Sequence, residues 1–270
     1  MSNISNYPAG VPCWVDTFQP DPETTARFYG PLLGWTFDEP VAMPSGLAGE
    51  YRPARSGGRL VAGVGQAPAG FPSAVWTTYV AVDDVDETAA RADAAGGGRI
   101  VGPTAHGDDG RVALLTDPVG VTFGIWQAGA RQGAGQVNEP GSWTMSSLHT
   151  PAPDRSEAFY GQVFGWRLET VPDAPTGFWR LDGYVGGQAE QAMPRDVVAV
   201  LAPIGKGDST PPHWSVAVAV VNVDATARQA SELGGAVLLA PVDTPGFRSA
   251  VIADPQGGVV VAVTAPSMTA

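Results

Sequence analysis

One cysteine, one lysine and three histidines in 270 residues leave several chemistries without their raw material. Cys13 by itself forms neither an internal disulfide framework nor a CxxC pair for metal or redox work. With 15 basic residues against 27 acidic ones and a net charge of −12, there is no basic surface to follow a phosphate backbone, so nucleic acid is excluded as a partner. No run approaches the roughly 18 apolar residues that a spanning helix needs, and no charged, apolar leader opens the sequence. The chain therefore reads as a reducing, cytoplasmic protein that does not enter a membrane. HExxH, GxGxxG opening a helix, and the Walker sequence are all missing.

What remains is a chain rich in small and apolar residues, 44% hydrophobic and only 16% charged, long enough for about two domains. Gly 35 and Pro 25 stay below the roughly 25–30% of a low-complexity chain and show no Gly-X-Y period, so they punctuate many short elements.

A repeat organises these elements. Ala26-Arg27-Phe28-Tyr29-Gly30 leading to Gly34-Trp35 returns as Glu157-Ala158-Phe159-Tyr160-Gly161 leading to Gly165-Trp166, an offset of 131 residues. Trp76 and Val85-Asp86 return as Trp214 and Val223-Asp224, then Gly96-Gly97 as Gly234-Gly235, and Asp117-Pro118-Val119-Gly120 as Asp254-Pro255-Gln256-Gly257. The order predicts two copies of one domain, residues 8–128 and 142–265, joined by a Gly- and Ala-rich linker at 129–141.

Each copy reads as two submodules of strand, helix and further strands. Trp14 to Phe18 suits a strand, and Asp21-Pro22 supplies an N-cap and an N1 proline for a helix through Tyr29. Trp76 to Val82 alternates as a strand, Asp84 or Asp86 caps a helix through Ala95, and Gly96-Gly97 ends it. Asp-Pro-x-Gly makes a tight turn inside a hairpin from Leu114 to Trp126. The prediction is an α+β protein of four βαβββ units.

A Phe-Tyr-Gly…Gly-Trp helix end, a Val-Asp-Asp-Val-Asp helix start and an Asp-Pro-x-Gly hairpin resemble the vicinal oxygen chelate superfamily. That superfamily includes glyoxalase I, bleomycin-resistance proteins, fosfomycin-resistance enzymes and extradiol dioxygenases. The tandem copies, with Gly-Ser-Trp opening the second, look like actinobacterial glyoxalase-like proteins often labelled hydroxylases. The resemblance implies that the four units pair into two open β-barrels, each around a pocket. It also implies metal-ligand positions, which fall at Trp14, Thr77 and Gly124 in the first copy and at Met145, Ser215 and Val261 in the second. The fourth position lies within residues 60–64 and 187–193, where Glu190 is the only carboxylate. None of the six aligned residues is an ordinary ligand for a borderline or hard divalent metal, so neither a metal nor another cofactor is expected.

Strand alternation then identifies the residues that share the inward direction of those positions. In the first copy they are Trp14, Asp16 and Phe18, Thr77 and Tyr79, then Thr122, Gly124 and Trp126. In the second they are Met145, Ser147 and His149, Ser215, Ala217 and Ala219, then Val259, Val261 and Val263. Trp14, Phe18, Thr77, Tyr79, Trp126, Met145, Ser147 and Ser215 are the candidate ligand-binding residues; Asp16 and His149 are the candidate acid–base groups. His106 and Arg111 read as surface residues, His213 could reach a pocket mouth, and Cys13 reads as a small buried apolar group.

Two functions stay open. One is metal-free binding or sequestration of an apolar, aromatic or cationic small molecule, as in drug-sequestering members of the superfamily. The other is a metal-independent isomerase, cyclase or lyase of small-molecule or secondary metabolism, with Asp16 or His149 exchanging a proton. A metal enzyme with misaligned ligands is the third. A homodimer is compatible with all three.

Overall fold

The computed structural model describes residues 6–43, 49–68, 74–170, 176–186, 195–244 and 246–264. The first half runs β1 (Pro12–Gln19), α1 (Pro22–Leu33), β2 (Thr36–Phe37), β3 (Val41–Ala42), β4 (Glu50–Ser56) and β5 (Arg59–Gln66). A second unit follows as β6 (Val75–Ala81), α2 (Val85–Ala94), β7 (Gly98–His106), β8 (Gly110–Thr116) and β9 (Thr122–Ala128). The other half repeats the plan as β10 (Trp143–Thr150), α3 (Pro153–Phe164), β11 (Arg167–Thr170), β12 (Gly177–Arg180) and β13 (Val197–Pro203). It ends with β14 (His213–Ala219), α4 (Val223–Glu232), β15 (Ala236–Thr244), β16 (Phe247–Ala253) and β17 (Val259–Thr264). The result is the expected α+β architecture of four βαβββ units, the first with the short β3 added.

Each half forms one mixed sheet, β2-β4-β5-β1-β6-β9-β8-β7 and β11-β12-β13-β10-β14-β17-β16-β15, and neither closes into a barrel. At the centre of each, the first strands of the two units pair antiparallel, β1 with β6 and β10 with β14. No described helix is long and apolar enough to cross a membrane.

Local chemistry explains the helices. Asp21 caps α1 by accepting from the amides of Glu23 (3.0 Å) and Thr24 (3.3 Å), and Pro22 stands at the first turn. The helix continues past Tyr29, where the sequence suggested its end, to Leu33. Pro31 falls in the last turn and removes one amide there, and Gly34, at φ 71°, closes the helix by donating to the carbonyl of Gly30. Asp84, rather than Asp86, caps α2 through the amide of Glu87 at 2.9 Å. The Asp-Pro-x-Gly segments form the β8–β9 and β16–β17 turns, in which Asp117 and Asp254 accept backbone amides of their own turns.

The helices lie on one face of the sheets and bury shared cores. One core joins Phe28, Tyr29, Leu32 and Trp76 of the first half to Val216, Val223, Ala227 and Ile252 of the second. The other joins Val85, Ala89 and Phe123 to Phe159, Tyr160, Trp166 and Trp214. Polar stitches cross the same seam: Tyr29 Oη donates to Asp254 Oδ2 at 3.1 Å, and Tyr160 Oη to Asp117 Oδ2 at 3.4 Å. Thus the tyrosine of each Phe-Tyr-Gly motif meets the Asp-Pro-x-Gly aspartate of the other half.

Candidate functional site

The opposite face of the first sheet carries a cleft. Trp14, Asp16 and Phe18 of β1 line it with Tyr79 of β6 and Trp126 of β9, so strand alternation brings these five candidates together. Thr77 is buried beside Asp16 in the β1–β6 register but does not line the cleft. Tyr51, His106 and Arg131 also line it and were missed by the sequence reading, as were the apolar Met43, Val101, Val112 and Leu114 beside them. The cleft encloses about 510 Å³ counting its open mouth. Its overall size suits a small molecule, but the side chains leave only a narrow slot.

Glycines make room for the rings. A Cβ on Gly124, which pairs with Tyr79, would fall 2.0 Å from that ring, and one on Gly63, which pairs with Asp16, would fall 1.8 Å from Tyr51 Oη. Gly124 is one of the positions the resemblance assigns to a metal ligand, and Gly63 lies in the span assigned to another. Tyrosine rings occupy the space their side chains would need. The remaining first-half positions offer an indole and a threonine hydroxyl; the second-half positions offer Met145, Ser215 and Val261. These donor sets do not fit a catalytic divalent metal, which takes about three imidazole, thiolate or carboxylate ligands. Among the described residues, no three His, Cys, Asp or Glu side chains cluster as a metal site; residues 187–193, with Glu190, lie outside the described residues. Gly124→Ala is expected to cost about 1–3 kcal/mol by forcing the Tyr79 ring aside, read as a lower unfolding midpoint. An unchanged midpoint would show that the ring yields freely.

Asp16 is the chemical centre of the cleft. It is 3% exposed, and its Oδ2 accepts from Tyr51 Oη at 3.2 Å, which in turn accepts from Trp14 Nε1 at 2.9 Å. Its buried Oδ1 has no partner in hydrogen-bond geometry, although the Tyr79 hydroxyl is near enough to act on the carboxyl. Burial pushes the carboxyl up to about 7, against the pull of the Tyr79 and Tyr51 hydroxyls and the Arg131 guanidinium. The two tyrosines are themselves pushed far up by burial, with the Asp16 charge adding to the shift.

Arg131 enters from the segment expected to be a plain linker. That segment lies as a strap across the end of the sheet: Ala134 donates to the carbonyl of Cys13 and Gly135 to that of Leu60, both at 2.8 Å, while Tyr7 Oη donates to the carbonyl of Ala134 at 2.7 Å. A Cβ on Gly133, at φ 145°, would fall 2.5 Å from the Cys13 carbonyl oxygen, so glycine is what lets the strap lie this close. The strap sets the Arg131 guanidinium 4.8 Å from the Trp14 ring centroid and 4.3 Å from that of Trp126. Cys13, beneath the strap, is fully buried.

His106, expected on the surface, packs its ring 6.1 Å from Tyr51 and 6.0 Å from Trp126, because the β7–β8 hairpin folds its end over the cleft. Burial, with Arg131 adding, holds its imidazole below the usual value. Arg111 pairs with Asp86 on the surface.

The second sheet differs. Met145, Ser147, His149 and Ser215 share one face but are only partly buried. His149 Nε2 lies 3.0 Å from Ser215 Oγ, and its ring stacks on His213 at 4.4 Å. Burial and the His213 charge press His149 down to about 4, so it is a neutral imidazole at pH 7.

Comparison with known proteins agrees with the fold. A family model of the glyoxalase/bleomycin resistance protein/dioxygenase superfamily matches residues 14–125, and one of the glyoxalase-like domain matches residues 144–262. CFP32 of Mycobacterium tuberculosis (strain CDC 1551 / Oshkosh), provisionally named a glyoxylase, is 38% identical over 268 residues, covering 96% of each chain. The anthracycline biosynthesis protein DnrV of Streptomyces peucetius is 34% identical over 277 residues, covering 94% of this chain and 93% of that protein. Among solved structures, the Mn(II)-bound glyoxalase from Novosphingobium aromaticivorans superposes with a TM-score of 0.63 at 18% identity, covering 95% of this chain and 82% of that one. The 2,3-dioxygenase LapB from Pseudomonas sp. KL28 gives 0.60 at 14% identity, covering 95% and 93%. At these identities the two structures speak for the fold alone.

Proposed function

The chain belongs to the glyoxalase/bleomycin resistance protein/dioxygenase superfamily, and on that premise we propose that it binds an aromatic small molecule of secondary metabolism, without a metal, in the first-half cleft. The observation that carries this reading is the cleft itself: the rings of Trp14, Phe18 and Trp126 line it beside a carboxyl whose Oδ1 has no partner in hydrogen-bond geometry. Aromatic faces give a flat ligand its area, and one unsatisfied buried oxygen gives it an orientation. A ligand hydroxyl would donate to Asp16 Oδ1; a ligand carbonyl would accept from the protonated carboxyl. The anthracycline biosynthesis name of one relative agrees with a ligand built of fused rings.

The same carboxyl supports a second reading, that of a metal-independent isomerase, cyclase or lyase. A carboxyl near pH 7 is matched to proton exchange at neutral pH, and its solvent-shielded position lets it act on a bound ring substituent. His149, pressed down to about 4, is the weaker base for such work.

Native mass spectrometry of freshly purified protein, followed by tryptophan quenching with 2-naphthol as a flat probe, tests the binding site. Saturable quenching is expected, weakened about tenfold, or about 1.4 kcal/mol, in Trp126→Ala. Unchanged affinity in Trp126→Ala and Asp16→Asn, with a loss in His149→Ala, would move the site to the second sheet.

A further inference from the structure

We propose that the first-half cleft selects acidic aromatic molecules, a ring carrying a carboxylate or ionised phenol, with Arg131 as the partner of the anion. This rests on the aromatic-ligand reading and adds the charge of the ligand to it. Arg131 is the one cation among the cleft-lining residues, and its side chain is 15% exposed. Its Nε is buried without a hydrogen-bond acceptor; Asp109 Oδ2 lies 3.3 Å away but out of line for a hydrogen bond. Among the described residues its ion-pair partner is Asp109, whose side chain is 47% exposed, and the Asp16 carboxyl also acts on its charge. A guanidinium is planar, always charged and shaped for two parallel bonds to a carboxylate, so one whose Nε makes no hydrogen bond and whose ion-pair partner is half exposed has donor capacity left for a second anion.

The strap holds that fork in place from its backbone. Trp126 Nε1 donates to the Arg131 carbonyl at 3.0 Å, and the Arg131 amide donates to the Asp109 carbonyl at 3.1 Å. The guanidinium lies over Trp14 and Trp126, against the faces a flat ligand would use. A ligand ring can stack on the guanidinium or slide beside it while its acidic substituent pairs with the guanidinium edge. A cationic ligand would instead meet Arg131 across the same narrow slot.

The net charge of −12 opposes an anion at long range, but at physiological salt that field is screened beyond about 8 Å. Inside the cleft the nearest groups decide. Besides Arg131 these are Asp16, Asp109, His106 and the tyrosines Tyr51 and Tyr79, and the two tyrosines stay neutral because burial raises them far above their usual range.

Three probes of one shape separate charge from ring: 2-naphthoate, 2-naphthamide and 2-naphthylmethylamine, titrated calorimetrically against wild type, Arg131→Gln and Arg131→Lys. In wild type the carboxylate is expected to bind at least about tenfold more tightly than the amide, and the ammonium more weakly than either. Arg131→Gln should erase the preference while keeping the amide, and Arg131→Lys should keep part of it. Equal affinity for carboxylate and amide in wild type, or a preference that survives Arg131→Gln, overturns the proposal and leaves the aromatic-ligand reading standing. Failure of all three probes in wild type overturns both. The wild-type comparison stands even where a variant folds poorly.

Discussion

Asp254→Ala is expected to lower the stability of the whole molecule by on the order of 3–5 kcal/mol, although Asp254 does not line the cleft. Its Oδ1 accepts the amides of Gln256 and Gly258, both at 2.9 Å, and its Oδ2 accepts Gln19 Nε2 at 3.0 Å and Tyr29 Oη at 3.1 Å. Gln19 and Tyr29 belong to the other half and are 0% exposed, so truncation strands buried donors that no water reaches. Gln256 grips the same seam, donating to the Asp21 carbonyl at 2.9 Å and to Thr25 Oγ1 at 2.8 Å. Because both cores draw on both halves, the two halves should unfold in one transition, and the variant should move that transition as a whole. Calorimetry checks both points. Two separate transitions in wild type, or a variant that melts within a degree or two of it, would show that the seam contributes little.

Asp16→Asn should act in the opposite direction and depend on pH. The folded-state carboxyl titrates near 7, against 3.8 for an ordinary aspartate. Between those values the native protein holds a proton that the unfolded chain has released. Stability from this group is therefore full at acid pH, falls as pH rises from about 4, and is lost above about 7. The fall approaches 1.4 kcal/mol per pH unit at its steepest, on the order of 2–4 kcal/mol in all. An amide at this position cannot ionise, so Asp16→Asn should flatten the curve and melt above wild type at pH 8. Other groups titrate too, His106 in the same cleft among them, and the difference between the two proteins isolates Asp16. Parallel stability curves from pH 5 to 8 would mean that the carboxyl is ionised throughout and that its partners, not burial, dominate.

The repeat and the four units are properties of neighbouring residues, and the sequence by itself determined them. Asp21 and Asp84 cap because their oxygens reach amides two or three residues on, and Asp-Pro-x-Gly turns because proline and glycine restrict or free their own dihedrals. Trp14, Asp16, Phe18, Tyr79 and Trp126 were identified together because side chains alternate along a strand, a rule needing no knowledge of what lies across it. That Trp14, Thr77 and Gly124 stand at the superfamily's metal-ligand positions came from the resemblance and not from strand alternation.

What closes the cleft was decided by the tertiary structure. Tyr51 comes from a strand whose register against β5 sets its hydroxyl over Gly63, and His106 from a hairpin end that only the folded sheet carries inward. Arg131 stands in a stretch whose composition reads as a tether, and its place depends on the path of the backbone along β1. The link between Tyr29 and Asp254 spans 225 residues. Both residues carried a visible motif, but a motif specifies its own turn or helix, not the partner that meets it. That choice follows from burying two helical faces against each other's sheets, and it is made only when the whole chain has folded.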